Sequence, residues 1–483
     1  MSLRSIDEVL HQRGHWIDGR VSPSSGEDIA VENPASEEVL GQVADGDASD
    51  VDRAVQAAHD ALPAWRDTTL DERLGLLTRL CDVLEEDCPQ LAAIITAEVG
   101  APVAIAGPMH VGFTAGILRG FATLARDFRF TTTAGSATVF YEPVGVAACI
   151  TPWNLPLILI AQKLGAALVT GCTTVFKPSE LTPFSALRLA ECMAEAGYPP
   201  GVFNVVTGYG PSTGEALVRH PLVGKVSFTG STRAGRRVGA LAAGGVKRVS
   251  LELGGKSANL VLPDGDLEQA VATGSQQACF NAGQSCIAWS RLLVPVDRLA
   301  EATDLAAEAL GGMSVGDPTD PGTDIGPLVS AQAAERVRGY LASGIEEGAR
   351  VAVGGPERPA DLPRGHFVAP TVLTGVRPEM TVAQEEIFGP VLCDIPYRDE
   401  DEAVAIANGT PYGLHGAVWS RDEQRALAVA RRLETGMVNV NGYGFDPLAP
   451  FGGRKQSGVG REMGVDGLHE FLEAKAVQCY PTG

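Results

Sequence analysis

The stretch Val144-Gly145-Val146-Ala147-Ala148-Cys149-Ile150-Thr151-Pro152-Trp153-Asn154-Leu155-Pro156 decides the fold. Val144 to Ile150 is apolar or small throughout, with no polar alternation, and it stops at Thr151-Pro152. Such a run reads as a strand buried on both faces, and the longer apolar segment from Leu155 to Thr170 reads as the helix after it. The unit then repeats: Thr173 to Phe176 is a strand and Leu181 to Ala196 a helix, Val202 to Val206 a strand and Thr213 to Arg219 a helix. Val226 to Thr229, the helix Ala234 to Ala242 and the strand Val246 to Leu251 complete the series. Strand and helix alternating at this spacing predict a parallel sheet covered on both faces. Ligands of such sheets bind outside the carboxyl ends of the strands.

Those ends carry the polar residues. Thr151-Pro152-Trp153-Asn154 follows the first strand, Lys177-Pro178-Ser179-Glu180 the second, Gly230-Ser231-Thr232 the fourth, and the last carries Glu252-Leu253-Gly254-Gly255-Lys256. An amide, an ammonium, a hydroxyl and a carboxylate therefore meet at one edge of the sheet.

Upstream, Asp50 to Gly100 has apolar residues at helical spacing, with Ser49 or Asp50 as the expected cap of the first helix. Asp127 to Glu142 alternates β-branched and aromatic residues around Ala134-Gly135-Ser136 and reads as a hairpin. Downstream, a helix from Leu267 to Asn281 leads into Phe280-Asn281-Ala282-Gly283-Gln284-Ser285-Cys286. Strands at Leu292 to Val296, Val391 to Ile395, Ala417 to Trp419 and Met437 to Asn441 then alternate with helices at Leu299 to Leu310, Ala331 to Ser343, Asp401 to Ala407 and Glu423 to Leu433. This is a second α/β domain, as 483 residues require more than one core.

Composition narrows the function. With 59 acidic and 38 basic residues the net charge is −21, which repels nucleic acid and anionic lipid. The nine cysteines are odd in number and scattered, without a disulfide framework or paired C-x-x-C spacing, so no metal site is expected. Met1 to Asp18 lacks the apolar core of a signal peptide, and no apolar run reaches membrane-spanning length. A cytoplasmic protein is the expectation. Cys286 is the candidate nucleophile; by itself it is one cysteine among nine, and a small buried hydrophobe is the ordinary alternative.

A parallel sheet with a helix start at a strand end suggests a dinucleotide. G-x-G-x-x-G is absent after the first strand. Gly208-Tyr209-Gly210-Pro211-Ser212-Thr213-Gly214 is a near miss, and Phe228-Thr229-Gly230-Ser231-Thr232-Arg233-Ala234-Gly235 the better candidate, because small residues open a helix there.

Pro152-Trp153-Asn154-Leu155-Pro156, Lys177 to Glu180, Phe228 to Gly235, Leu251 to Lys256, Phe280 to Cys286, Glu386-Ile387-Phe388-Gly389-Pro390 and Pro450-Phe451-Gly452-Gly453, taken together and in this order, resemble the NAD(P)-dependent aldehyde dehydrogenase superfamily over essentially the whole chain. The resemblance implies a Rossmann-type NAD-binding domain (1–123 and 143–253), a catalytic domain (254–455) and a small β element for oligomerisation (124–142 and 456–483). It implies a Cys286 thiolate attacking an aldehyde, an oxyanion held by the Asn154 amide and the Cys286 backbone N–H, and a thioester hydrolysed with Glu252 as general base. The bland alternatives are an ion pair of Glu252 with Lys256 and an Asn154 helix cap. Trp153, Lys177, Glu180, Gly210, Gly230, Ser231, Gly235, Glu386 and Phe388 become cofactor residues. Glu180 favours a free ribose 2′-hydroxyl and hence NAD over NADP. Glu462 matches a position proposed to relay protons, with arginine pairing the preferred alternative.

By the same resemblance, Leu155, Leu159, Gln162, Phe280, Ile287 and Phe445 line the substrate tunnel. Gln162 stands where relatives acting on succinate semialdehyde carry arginine, so the expected substrate is an aliphatic or aromatic aldehyde without an anionic tail. Tyr443 and Asp446 fit no subfamily pattern. The hairpin and the tail from Phe471 imply a homodimer or homotetramer. The rival readings are a semialdehyde dehydrogenase, a CoA-acylating enzyme, a cysteine hydrolase and a non-catalytic structural protein on the same fold. Retention of Cys286 and Glu252 argues against the last, and Glu252 argues against acyl transfer to CoA.

Overall fold

The computed structural model describes residues 6–11, 13–442 and 444–479; Tyr443 and the end of the tail lie outside them. At its centre are five parallel strands, β1 (Val146–Ile150), β2 (Thr173–Lys177), β3 (Phe203–Val205), β4 (Val223–Thr229) and β5 (Arg248–Glu252). Their order across the sheet is β3-β2-β1-β4-β5. The chain winds outward from β1 to β3, then crosses back to place β4 on the other side of β1. The crevice above β1 and β4 is the topological switch point of a doubly wound sheet.

The helix α1 (Pro156–Thr170) joins β1 to β2 and is buried at every position, which explains why it is apolar all round. Pro156 opens it and Gly171, in the left-handed conformation, ends it. The next helix, α2 (Phe184–Glu195), begins three residues later than the sequence suggested, after Pro183. After β4 comes α3 (Thr232–Gly244), whose N-cap is Ser231. Apolar side chains of β1, such as Ala147 and Cys149 on one face and Val146 and Ala148 on the other, join separate cores above and below the sheet.

The second sheet has six parallel strands and an antiparallel edge, Arg350–Val353. It has its own core, with Leu260, Leu293, Val372 and Leu392 fully enclosed. Two of its flanking helices matter below: α4 (Leu267–Cys279) and α5 (Ala331–Glu346). The predicted helix to Asn281 stops at Cys279, because Asn281, Ala282 and Gly283 are left-handed, at φ 53°, 57° and 72°. The expected strand Met437 to Asn441 contracts to Asn439–Val440.

The hairpin forms as expected, with strands Thr131–Ala134 and Ala137–Pro143, and the tail strand Leu472–Gln478 pairs with its second strand over seven residues. Strands at His15–Ile17 and Arg20–Ser22 extend the first sheet, and a hairpin forms at Asp28–Asn33 and Glu38–Ala44; sequence reasoning found none of these. The first long helix, Ala48–Arg66, is capped by Asp47 and not by Ser49 or Asp50; Asp50 instead completes the capping box.

Candidate active site

A cleft of 130 Å³ opens at the switch point. Trp153 and Asn154 enter it from β1, Gly230 and Ser231 from β4, and Glu252 from β5; Leu159 reaches it from α1. Cys286, Glu386, Phe388 and Arg336 close it from the second domain. Cys286, the Asn154 amide and the Glu252 carboxyl, far apart in sequence, thus line one cavity.

The backbone before Cys286 is held tightly. A Cβ on Gly283 would lie 2.1 Å from the carbonyl carbon and oxygen of Gly389, and its φ is 72°, so only glycine fits. Asn154 does not cap α1, whose N-cap is Leu155; its Nδ2 donates to the backbone oxygen of Gln284 at 2.9 Å. The Asn154 amide is therefore bonded to the loop that carries Cys286. Burial, with the nearby carboxyl groups of Glu386 and Glu252, pushes the Cys286 thiol well above its ordinary range. Both effects favour the neutral thiol.

Glu252 is buried, and neither carboxyl oxygen has a hydrogen-bond partner. Burial first and the charge of Glu462 second hold its carboxyl well above the ordinary range, against the opposing pull of Lys163 and Arg461. Gly452, at φ 149°, makes room for it: a Cβ there would stand 2.6 Å from Glu252 Oε1. The ion pair with Lys256 does not form. Lys256 Nζ is itself buried without a partner, and burial lowers it to about 8. Arginine pairing of Glu462 is also overturned. Its carboxylate accepts from Lys163 Nζ and from Ser227 Oγ, while Arg461 turns to the backbone oxygens of Gly453 and Gly460.

Among the candidate cofactor residues, Lys177 Nζ meets Glu180 Oε2 at 3.2 Å just beyond β2. Burial lowers the Lys177 ammonium and Glu180 opposes that shift. Ser231 Oγ accepts from the backbone of Ala234 at the start of α3. Gly235, one turn into α3, leaves space for Leu253. Glu386 accepts from the backbone of Gly255 at 3.0 Å, and burial raises its carboxyl to about 7. The rings of Trp153 and Phe388 stand perpendicular at 5.4 Å. Gly210 does not line the cleft; it starts the short π-helical turn Gly210–Gly214, and the neighbouring Tyr209 N–H bonds Asp45. Arg336 was missed. It sits on α5, donates to the backbone oxygen of Glu386 at 2.6 Å, and lies in no motif that would mark it out from a solvated helix arginine.

Of the tunnel residues, Leu155 and Leu159 are buried, and Phe280, Ile287, Phe445 and Cys286 pack at the margin of the same core. Phe445 contacts Phe113 at 5.3 Å and Phe451 at 5.8 Å, two aromatic neighbours that the sequence did not assign. Gln162 is buried; its Nε2 reaches Met463 Sδ at 3.4 Å, and its Oε1 has no partner. Phe280 also borders a separate groove of 420 Å³ with Ile105 and Met313. Among the described residues no cluster could hold a metal ion, and no helix is long and apolar enough to cross a membrane.

A doubly wound sheet thus brings a cysteine, an amide and an unpartnered carboxyl group to its switch point, where sheets of this class bind their ligands. The sequence profile of the aldehyde dehydrogenase family matches residues 21–477, and the chain belongs to that family of enzymes. It is 48% identical over 470 residues to a 3-succinoylsemialdehyde-pyridine dehydrogenase of a Pseudomonas species, covering 97% of this chain and 98% of the relative. A crystal structure of a Cys→Ala mutant of aldehyde dehydrogenase C from Pseudomonas syringae, in complex with NAD+ and octanal, superposes with TM-score 0.96 at 46% identity, over 99% of this chain and 98% of that one. Betaine aldehyde dehydrogenase from Staphylococcus aureus, in complex with NAD+, superposes with TM-score 0.93 at 35% identity, over 97% and 95%.

Proposed function

We propose that the chain oxidises an uncharged aldehyde to its carboxylic acid with NAD, using Cys286 as nucleophile and Glu252 as general base. The observation that carries this reading is the Glu252 carboxyl, buried and without a partner, in the same cleft as Cys286 and Asn154. Cys286 releases its thiol proton to solvent, and the Sγ thiolate attacks the aldehyde carbon, so that the carbonyl electron pair moves to oxygen and a thiohemiacetal oxyanion forms. That oxyanion is bound by the Asn154 N–H that Gln284 does not use and by the Cys286 backbone N–H. When bound, NAD would supply the acceptor for the hydride that leaves the former aldehyde carbon, whose loss converts the Cys286 thiohemiacetal into a thioester. The cleft suits that cofactor: small residues Gly230 and Ser231 front the free N–H groups of α3, and Trp153, Glu386 and Phe388 surround the remainder. Lys177 and Glu180 are assigned to the adenine ribose, Gly235 to the helix that receives the pyrophosphate, and Gly210 to the outer end of the site. Glu252 then takes a proton from water as that water attacks the thioester, and the acid leaves.

An uncharged substrate body is supported by Leu159 in the cleft of Cys286, by the apolar core against which Cys286, Phe280, Ile287 and Phe445 pack, and by the octanal held by the Pseudomonas syringae relative. The name of the Pseudomonas dehydrogenase favours a second reading, a semialdehyde carrying a pyridine ring. We assign residues 1–123 and 143–253, 254–455, and 124–142 with 456–483 to the cofactor, catalytic and bridging units. The exposed face of the tail strand supports a homodimer or homotetramer, and nine free thiols support a cytoplasmic setting. The test is NADH absorbance with a panel of aldehydes, using wild type and Cys286→Ala. Silence of the wild type, or full activity in the variant, defeats the proposal.

A further inference from the structure

Three buried carboxamides join the Cys286 loop to the turn that carries Asn154. Asn154 Nδ2 donates to the backbone oxygen of Gln284, and Asn281 Nδ2 donates in the opposite direction to the backbone oxygen of Asn154, both at 2.9 Å. Gln284 closes the loop: its Nε2 and its backbone N–H both reach the backbone oxygen of Asn281 at 3.1 Å. Its Oε1 accepts from the backbone of Val329 at 2.9 Å, which anchors the assembly to the loop before α5. Asn281 itself has φ 53° and ψ 41°. Asparagine is one of the few side chains that enters this left-handed region readily. Here it turns the chain and aims its carboxamide back at Asn154 in one step.

We infer that Asn281 is a positioning residue for aldehyde oxidation. Its carboxamide fixes the Asn154 turn against the Cys286 loop, so that the Asn154 amide and the Cys286 backbone N–H address one oxyanion. An amide nitrogen has two hydrogens, and the Gln284 oxygen takes one of those on Asn154. The plane of the Asn154 amide, and hence the direction of its second N–H, depends on the separation of the Gln284 oxygen from the Asn154 backbone. Asn281 ties those two segments from the other side. Oxyanion stabilisation is sensitive to this placement, because a misplacement of about 1 Å costs roughly 100-fold in rate.

The inference rests on the proposed role of Asn154, and the experiment separates the two. Asn281→Gly keeps the left-handed backbone and deletes the clamp. Asn281→Asp keeps the size but sets carboxylate oxygens against the backbone oxygens of Asn154 and Gln284, which Asn281 Nδ2 meets at 2.9 and 3.5 Å; when protonated it can again donate to Asn154. With octanal and NAD, Asn281→Gly is expected to lose about 10- to 100-fold in kcat, while the NAD dissociation constant and the rate of Cys286 alkylation by iodoacetamide stay within about twofold. The kcat of Asn281→Asp relative to wild type is expected to rise as pH falls. Wild-type kcat in Asn281→Gly overturns the inference. So does a parallel loss of NAD binding and alkylation, which marks a merely structural residue, and so does a flat ratio for Asn281→Asp. If Asn281→Asp does not fold, Asn281→Gly decides. A fully active Asn154→Ala defeats the reading of Asn154; an inactive Asn154→Ala beside a normal Asn281→Gly defeats only this inference.

Discussion

Lys163, in the middle of α1, forms an ion pair with Glu462 from the opposite end of the chain, and both are enclosed by the fold. The ammonium also donates to Thr229 Oγ1 at 2.6 Å, and the carboxylate accepts from Ser227 Oγ at 3.1 Å. The pair therefore joins α1, β4 and the C-terminal segment. Removing one member leaves an uncompensated buried charge, so Glu462→Ala is expected to lose about 3–5 kcal/mol in urea unfolding. Replacing both, as Lys163→Met with Glu462→Leu, should recover most of it, because a buried pair is weakly stabilising against apolar residues of similar volume. A loss below about 1 kcal/mol in Glu462→Ala would place the pair among surface-like bridges.

Glu252 links stability and rate to pH in opposite senses. Its carboxyl titrates far above the ordinary value of 4.5 in the folded chain. Above pH 4.5 the unfolded chain has released a proton that the folded chain retains, so this group's contribution to stability is full below 4.5 and falls as pH rises toward the folded-state pKa. Glu252→Gln should flatten that part of the profile and be more stable than wild type at neutral pH. Turnover needs the carboxylate, so kcat should rise with pH where deacylation limits the rate. Glu252→Gln should give a burst of NADH near one equivalent per site and then stall. Steady turnover in this variant removes Glu252 from the role of base.

Cys286 is expected to be unreactive in the free enzyme and activated on cofactor binding. Burial and two neighbouring carboxyl groups favour its neutral form. A cationic ring beside the sulfur favours the thiolate. The rate of iodoacetamide alkylation should therefore rise with pH beyond the range of an ordinary thiol, and saturating NAD should shift the curve to lower pH. Mass mapping of the adduct to Cys286 completes the measurement. An unchanged curve with NAD shows that the activating charge comes from elsewhere.

The central sheet was legible because strands buried on both faces and helices buried on one or all sides leave unambiguous patterns, as in Val146 to Thr170. The polar residues at its strand ends, Trp153, Asn154, Ser231 and Glu252 among them, mark the crevice. Three-residue strands such as His15–Ile17 leave no period to read, and Gly458–Val459 joins the first sheet only through pairing with Leu251 and Glu252. Side-chain partners were least legible. Glu462 is adjacent to Arg461 in sequence, yet pairs with Lys163, 299 positions away. Asn281 reads as the end of a helix, but its backbone is left-handed and its side chain bonds the backbone of Asn154, a partner that helical periodicity does not encode.

The proposed preference for an uncharged substrate assigns a role to Gln162. Its Oε1 is buried without a partner, the buried Leu159 and Leu155 precede it by three and seven residues along the chain, and Phe445 contacts Phe113 and Phe451. The nearest cation in sequence, Lys163, is already neutralised by Glu462. A carboxylate tail entering this region loses its hydration without gaining a counter-ion, a cost of several kcal/mol. The kcat/KM for hexanal and benzaldehyde should accordingly exceed that for succinate semialdehyde by about 100-fold or more, since each tenfold step is only about 1.4 kcal/mol. Gln162→Arg supplies the missing cation and should narrow the gap by at least about tenfold, mainly through KM for the anionic substrate. A wild type that prefers succinate semialdehyde overturns the assignment of an uncharged substrate. A Gln162→Arg variant with an unchanged ratio removes residue 162 from the tunnel wall, because a new guanidinium in contact with the substrate must alter its discrimination between charged and neutral aldehydes.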